Sequence, residues 1–490
     1  MQAFDVPGIS VAIVKDGKVE VARGYGVRRL GDPAPVDAHT LFGIASNTKA
    51  FTAAALAMLV DEKKIGWDDP VQKHLPGFQL YDPYVTRELT VRDLLCHRSG
   101  LGLGAGDLLF WPDTGVTRAQ VLAAARFIRP ASSFRSRYAY NNLMFVVAGE
   151  IVPAVTGKPW DGFIRERIFA PAAMAGAAIT STGFRPGDNV ASPHSRGWRL
   201  EGPLAPIPPT RDDTWAAAAG IKASAADMAR WLLVQLAGGA LPGGARLWSE
   251  EAAREMWTPQ TILRPGRPAV PALEAAQPAF AAYGLGWDLR DYRGRKVVGH
   301  SGGLTGMVTR VMLAPDARLG VAVLTNQEES GAMQAIAMRV LDHYLGQPPT
   351  DWIAAYSEAR RKMMANAAES EKKQAETRAP GTKPSLDLAR YAGEYRDAWY
   401  GGAAVARENG RLVLRMQRTP AMVADLAHWH YDTFTARFRD QTIPDAFVTF
   451  ALDYKGDIAE MRLRAVSELA DFSFDYHDLL FRPAAAPGVK

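Results

Sequence analysis

Three short groups of residues bring together a nucleophile, candidate bases and glycines that permit close approach. The first is Ser46-Asn47-Thr48-Lys49. If a helix begins at about Asn47, Ser46 sits at its positive end and Lys49 lies one turn on, on the same face. That spacing suits a serine nucleophile with an amine beside it. Spacing alone is a weak signal, because Ser370-Glu371-Lys372-Lys373 repeats it. Context separates the two: Ser46 opens an apolar helix, whereas Ser370 sits in a charged run.

The second group is Tyr140-Asn141-Asn142, directly ahead of another helical stretch. A free phenol of pKa near ~10 is about one-thousandth ionised at neutral pH, a cost of roughly 4 kcal/mol. One cation at ~4 Å, at an effective dielectric near 20, offsets about as much. Tyr140 beside protonated Lys49 could therefore take the Ser46 proton. A neutral Lys49, its pKa drawn down by burial, could do the same. Asn142 is expected to position Lys49 and substrate, with a helix cap as the plainer alternative.

The third group, His300-Ser301-Gly302-Gly303, lies on a strand entering a glycine-rich turn, where substrate can approach the backbone. The amides of Ser46 and Gly303 would form an oxyanion hole, in which losing one donor typically costs ~10²–10³ in rate. His300 would polarise the far side of the site. Gly299-His300-Ser301-Gly302-Gly303 also fits the G-x-S-x-G nucleophile elbow, but that motif needs a strand-turn-helix. Residues 304–313 read as turn and strand, so Ser301 is not the expected nucleophile.

The elements that must carry these groups follow from periodicity and turn chemistry. Strands are expected at residues 9–14 and 18–24, joined by Lys15-Asp16-Gly17. Helices are expected at 47–61, 141–155 and 224–236, the last opened by a Ser224/Asp227 capping box. Strands return at 283–289, 296–299, 307–313 and 319–324, then a helix at 336–345. This order predicts an antiparallel sheet built from both ends of an α/β domain, with helices layered on it. Residues 354–384 are dense in charge and end in Pro380-Gly381-Thr382-Lys383-Pro384, which reads as a solvated helix and linker. Short strands follow at 405–408, 412–416, 432–436, 446–452 and 458–464, with a hairpin turn at Asn409-Gly410. The expected organisation is a hydrolase domain at 1–346, a charged helix and linker at 347–384, and a small all-β barrel-like domain at 385–486.

Composition narrows the function classes. At 490 residues, 48% apolar and 22% charged, the chain has globular proportions and is too long for one core. Its net charge of +5 is spread without a basic stripe, which speaks against a nucleic-acid partner. No apolar run approaches the ~20 residues of a membrane helix. The single cysteine, Cys96, rules out an intrachain disulfide and reads as a packing residue in Leu94-Leu95-Cys96. The first residues have neither the basic start nor the apolar core of a signal peptide. A periplasmic protein trimmed of its leader and a cytoplasmic one both remain open. His97 is expected to order its loop, and His428-Trp429-His430 to pack or line a strand edge, since two imidazoles do not make a metal site. Trp111, Trp215 and Trp287 are expected in the cleft or the core.

Ser46-x-x-Lys49, Tyr140-x-Asn142 and His300-x-Gly302, in that order, resemble the serine β-lactamase and penicillin-binding-protein superfamily. The class C-like branch, with its esterases, D-amino peptidases and DD-peptidases, is the most similar. Val6-Pro7-Gly8-Ile9, His97-Arg98-Ser99-Gly100-Leu101 and Tyr283-Gly284-Leu285-Gly286-Trp287 support the resemblance. It implies a three-layer α/β sandwich with the site between an all-α part and the sheet, and a lipocalin-like C-terminal domain. It further implies an acyl-enzyme on Ser46, a small-molecule or peptide substrate, and no cofactor or metal. The two-domain build also resembles bacterial peptidases that degrade linearised microcystin. Many family members carry Lys where this chain has His300, and a neutral His offers a substrate carboxylate no fixed charge. Peptides and amides are therefore expected before β-lactams. An esterase and a non-catalytic penicillin-binding-type sensor are the alternatives.

Overall fold

The structure, a computed structural model, describes residues 1–179, 184–185 and 187–484. Its frame is a nine-stranded sheet in which every pair is antiparallel. In chain order its strands are β1 (Gly8–Lys15), β2 (Lys18–Arg29), β3 (Asp32–Pro35), β4 (Thr261–Leu263), β5 (Ala281–Tyr283), β6 (Asp288–Tyr292), β7 (Arg295–Leu304), β8 (Met307–Ala314) and β9 (Leu319–Thr325). Their spatial order is β3-β2-β1-β9-β8-β7-β6-β5-β4, with Ile9 opposite Thr325 where the two ends of the domain meet. The β1–β2 hairpin turns at Asp16 (φ 50°) and Gly17 (φ 80°), the left-handed pair that a two-residue hairpin requires.

Strand β1 shows why there are layers on both faces. Its β-branched sequence alternates, sending Ala12 and Val14 into one core and Ile9, Val11 and Ile13 into the other. The first core is filled by α1 (Thr48–Asp61), α2 (Leu143–Thr156) and α3 (Ala225–Leu236). Helix α1 is buried on almost every side, as its Ala-, Leu- and Met-rich sequence allows. Helix α3 begins with the expected capping box, both bonds of which form between Ser224 and Asp227. The second core is covered by α4 (Gly331–Tyr344) and α5 (Trp352–Glu376). The charged stretch is largely exposed, as its composition suggests, and is pinned to the domain at its start. Trp352 and Ala355 are buried, and the Trp352 indole donates to Asp342 Oδ2 at 2.7 Å. Ser370, in the second Ser-x-x-Lys match, lies on this helix away from the cleft and donates to Glu468.

The C-terminal domain is a closed eight-stranded barrel: β10 (Gly393–Asp397), β11 (Gly401–Glu408), β12 (Arg411–Met416), β13 (Val423–His430), β14 (Thr433–Phe438), β15 (Ala446–Leu452), β16 (Ile458–Ala465) and β17 (Leu480–Pro483). Strands β10, β13 and β17 add to the five expected, and β10 pairs β17 to close the ring. The last two positions of the expected 385–486 span lie outside the described residues. Between β16 and β17, Phe472, Ser473, Phe474 and Asp475 reach from the barrel to the α/β domain, while Tyr476 stays on the barrel, stacked on Phe438. Asp475 Oδ2 accepts the Gly106 amide at 2.7 Å, and Phe474 packs 6.4 Å from the Trp111 ring. No helix among the described residues is long and apolar enough to cross a membrane.

Candidate active site

Ser46 stands on a tight turn, Ala45–Asn47, that runs straight into α1. The turn is entered through Ala45 at φ 50°, a conformation that a non-glycine residue adopts only when its surroundings enforce it. Those surroundings are visible. Asn47 Nδ2 donates to Thr309 Oγ1 at 2.8 Å, and Thr309 Oγ1 donates to the Ile44 carbonyl at 2.9 Å, tying the turn to β8. Strand β7 presses on the same turn through Gly302, where a Cβ would come within 2.3 Å of the Ile44 oxygen. Gly302 therefore serves close packing of protein on protein. Gly303 is the glycine that faces the cleft, with open space where its side chain would be.

Lys49 is completely buried and its Nζ has three oxygen neighbours: Ser46 Oγ at 3.0 Å, Asn142 Oδ1 at 2.7 Å and the Ala218 carbonyl at 3.1 Å. An ammonium would donate to all three. A neutral amine has two protons and a lone pair. Because the amide and carbonyl oxygens can only accept, the lone pair of the neutral form faces the Ser46 hydroxyl. Burial pulls the Lys49 pKa down from 10.5 to about 7, against the attraction of Asp107.

Asn142 is oriented by what lies behind it. Its Nδ2 donates to Asp107 Oδ2 at 2.7 Å, which leaves its oxygen for Lys49. Asp107 is fully buried, and burial raises its carboxyl to about 7 despite hydrogen bonds from Asn142 and Ser473. The two opposite charges are therefore drawn toward the same middle value, so little separates their ionised and neutral states.

Tyr140 reaches the same place from the segment before α2. Its ring lies 4.9 Å from Lys49 Nζ, and its hydroxyl is enclosed. Burial pushes the phenol well above its usual value, while nearby Ser46 works in the opposite direction without a fully aligned hydrogen bond. His97 fixes this segment. Its carbonyl accepts the Ala139 amide at 3.0 Å and its Nδ1 accepts the Asn141 amide at 3.0 Å.

His300 is buried with both ring nitrogens occupied. Nδ1 faces the Ser301 carbonyl, which can only accept, so Nδ1 carries the proton and Nε2 accepts from the Tyr283 hydroxyl at 2.8 Å. Burial lowers its pKa to about 4, so it is neutral at physiological pH. It contributes a wall and a held tautomer, and no fixed positive charge.

Ser46, Tyr140, Asn142, His300 and Gly303 all line one cleft of about 440 Å³. Lys49 sits beneath its floor. Trp111 and Trp215 also line it, whereas Trp287 is buried against Trp257. Ser301 lies on the wall within β7, and the next element is strand β8, so no nucleophile elbow exists there. Cys96 is fully buried and its thiol is pushed up to about 12. In the barrel, His428 Nε2 contacts the Tyr431 carbonyl and His430 Nδ1 accepts the Ala379 amide. The carboxyl side chains on the cleft wall are Asp288, which faces Arg310 at 3.9 Å, and Glu328 and Asp471, whose carboxyls burial pushes up; no Lys or Arg is among the described lining residues. Asp471 and its neighbours Leu469, Phe472, Ser473 and Phe474 come from the barrel loop. Asp107 and this loop carried no motif of their own and only the distances identify them, whereas Tyr283 opens the Tyr283-Gly284-Leu285-Gly286-Trp287 phrase and takes its role from its bond to His300.

Residues 1–345 match the beta-lactamase family, and residues 377–483 match a domain of unknown function, DUF3471. The chain is 28% identical over 437 residues to the unguisins hydrolase of Aspergillus campestris, covering 85% of this chain and 78% of that protein. Its fold is similar to that of the octameric penicillin-binding protein homologue from Pyrococcus abyssi, at 23% identity and a TM-score of 0.62 over 98% and 97% of the two chains. It is also similar to a D-stereospecific amidohydrolase from Streptomyces sp., with 26% identity and a TM-score of 0.52 over 67% of this chain and 91% of that one.

Proposed function

The chain belongs to the beta-lactamase family of serine hydrolases, and from that premise we propose that it cleaves amide bonds of peptides or peptide-like substrates through an acyl-enzyme on Ser46. The observation that carries this reading is the 3.0 Å approach of a wholly buried Lys49 amine to the Ser46 hydroxyl, with its pKa near 7.

In this reading neutral Lys49 accepts the Ser46 proton as Oγ attacks the substrate carbonyl. The amides of Ser46 and Gly303 receive the developing oxyanion, helped by the positive end of α1. Tyr140, whose buried phenol stays protonated, hands its proton to the leaving amine and is reprotonated by Lys49. A water then attacks the acyl-enzyme along the reverse proton route and frees Ser46. Burial disfavours the alternative, a Tyr140 phenolate as base, because the ~4 kcal/mol cost of ionising a free phenol grows in a desolvated site. Likeness to the Streptomyces D-stereospecific amidohydrolase favours amide over ester substrates. A described cleft wall with carboxyl groups and no Lys or Arg, together with neutral His300, favours substrates without a carboxylate near the scissile bond.

A fluorophosphonate probe followed by peptide mass mapping tests the nucleophile. An adduct on Ser46 is expected, and its absence would favour the non-catalytic sensor. Turnover on short peptides, D-amino amides, nitrophenyl esters and nitrocefin then ranks the substrates, with amides expected ahead of nitrocefin.

A further inference from the structure

The barrel loop does more than wall the cleft. Resting on the serine-hydrolase reading above, we propose that Ser473 is a positioning residue for Lys49, acting through Asp107 and Asn142. A continuous hydrogen-bonded line joins them: Ser473 Oγ donates to Asp107 Oδ2 at 2.8 Å, and Asn142 Nδ2 donates to that same oxygen at 2.7 Å. Asn142 Oδ1 then accepts from Lys49 Nζ at 2.7 Å, which lies 3.0 Å from Ser46 Oγ. Lys49 and Asp107 are fully buried beneath the cleft-lining Asn142 and Ser473, so the bonds between them are made in a desolvated interior.

The direction of each bond gives the line its function. An ionised carboxylate only accepts, so Asp107 forces the Asn142 amide to turn its nitrogen inward and its oxygen toward Lys49. Asp107 has no partner on Oδ1, so the donors from Asn142 and Ser473 on Oδ2 are what favour its charged form. Ser473 is itself held: its amide donates to Asp471 Oδ1 at 2.9 Å, and Asp475 anchors the loop on Gly106 two residues later. The titratable groups facing Lys49 are Asp107, His97, His300 and Tyr140, and those facing Asp107 are Lys49, Tyr140, Asp471 and Asp475. Among these Asp107 is the group that raises the Lys49 pKa, and Ser473 is the hydroxyl from the barrel that supports its charge.

The sign of the effect follows. Without the Ser473 hydroxyl, Asp107 protonates more readily, its field on Lys49 weakens, and the amine loses its proton at lower pH. In the full-length Ser473→Ala protein the acid limb of kcat/KM on a nitrophenyl ester should move down by about half a pH unit. Its kcat should fall ~10-fold while KM stays within ~2-fold, because orientation is lost and binding is not. Ser473→Thr, which keeps the hydroxyl, should return the limb to its wild-type position, and Asp107→Asn should move it further. If Ser473→Ala does not fold, Ser473→Cys, a weaker donor, is read the same way. A limb that stays in place in these variants, with or without a loss of kcat, overturns the proposal. Fluorophosphonate labelling of Ser46 in each variant separates the two claims: no wild-type adduct sinks the hydrolase reading, whereas a labelled enzyme with an unmoved limb sinks only the role of Ser473.

Discussion

The imidazole of His97 lies against the phenol ring of Tyr140 with centroids 4.3 Å apart, while its Nδ1 accepts the amide of the next residue, Asn141. One side chain thus sets both the position and the backbone direction of the segment that delivers Tyr140 and Asn142. Burial keeps this imidazole neutral. His97→Phe preserves the ring contact and removes the acceptor, orphaning a buried amide at a cost of about 1–3 kcal/mol. The expected outcome is a lower melting temperature and a kcat reduced ~10-fold or more. A variant with wild-type kcat would show that Tyr140 is held by other means.

The pH profile reports on Lys49. Only the free amine accepts a proton, and with a pKa of about 7 the free form grows as pH rises through that value. kcat/KM should therefore climb roughly tenfold per unit below pH 7 and level off above it. A limb lying above about pH 9 would take the base role away from Lys49.

Two adjacent glycines should behave differently. A methyl group on Gly302 would come within 2.3 Å of the Ile44 oxygen and 2.5 Å of Thr309 Oγ1. Gly302→Ala should displace the Ser46 turn, costing about 1–3 kcal/mol of stability and ~10² in kcat. Gly303→Ala meets nothing and should unfold within about 0.5 kcal/mol of wild type. Denaturant titration and single-turnover kinetics on both variants check this, and equal stabilities would refute the packing role.

Two of the serines on the cleft wall, Ser46 and Ser301, should also part company. Ser46→Ala should lose ~10⁴-fold or more in kcat with an unchanged fold. Ser301→Ala, on a strand that continues into another strand, should keep nearly full activity. Loss of activity in Ser301→Ala with retention in Ser46→Ala would exchange their roles.

Substrate charge is a further test. Of two anilides that differ only in a free or a succinylated amino group, the anionic one should be turned over ~10-fold or more slowly, because the described cleft wall offers carboxyl groups and no Lys or Arg to receive it. The gap should narrow in salt. A preference for the anion would remove the electrostatic argument.

What the sequence made legible is what is local. The hairpin at residues 9–24 announced itself through β-branched alternation and Asp16-Gly17, and the capping box at Ser224 through residue type and spacing. The grouping of Ser46, Lys49, Tyr140 and Asn142 was legible because each lies at or beside a helix start, where spacing fixes which way a side chain points. Strand β13 was not, because Asp425, His428 and His430 interrupt its alternation, and β17 ends in a proline. The glycines were read with one reason for both. Backbone crowding at Gly302 depends on a turn about 260 residues away in the chain, which no local pattern encodes. Asp107 and Ser473 are ordinary loop residues until a separation of 366 positions is closed by folding.

That closure has a consequence for how the molecule comes into being. The loop bearing Ser473 precedes the strand that seals the barrel, so a growing polypeptide has Ser46, Lys49 and Tyr140 in hand long before the cleft has its last wall. Only once translation has passed Pro483 can the ring shut and set that wall in place. A nascent chain should accordingly be a poor hydrolase until the barrel has closed.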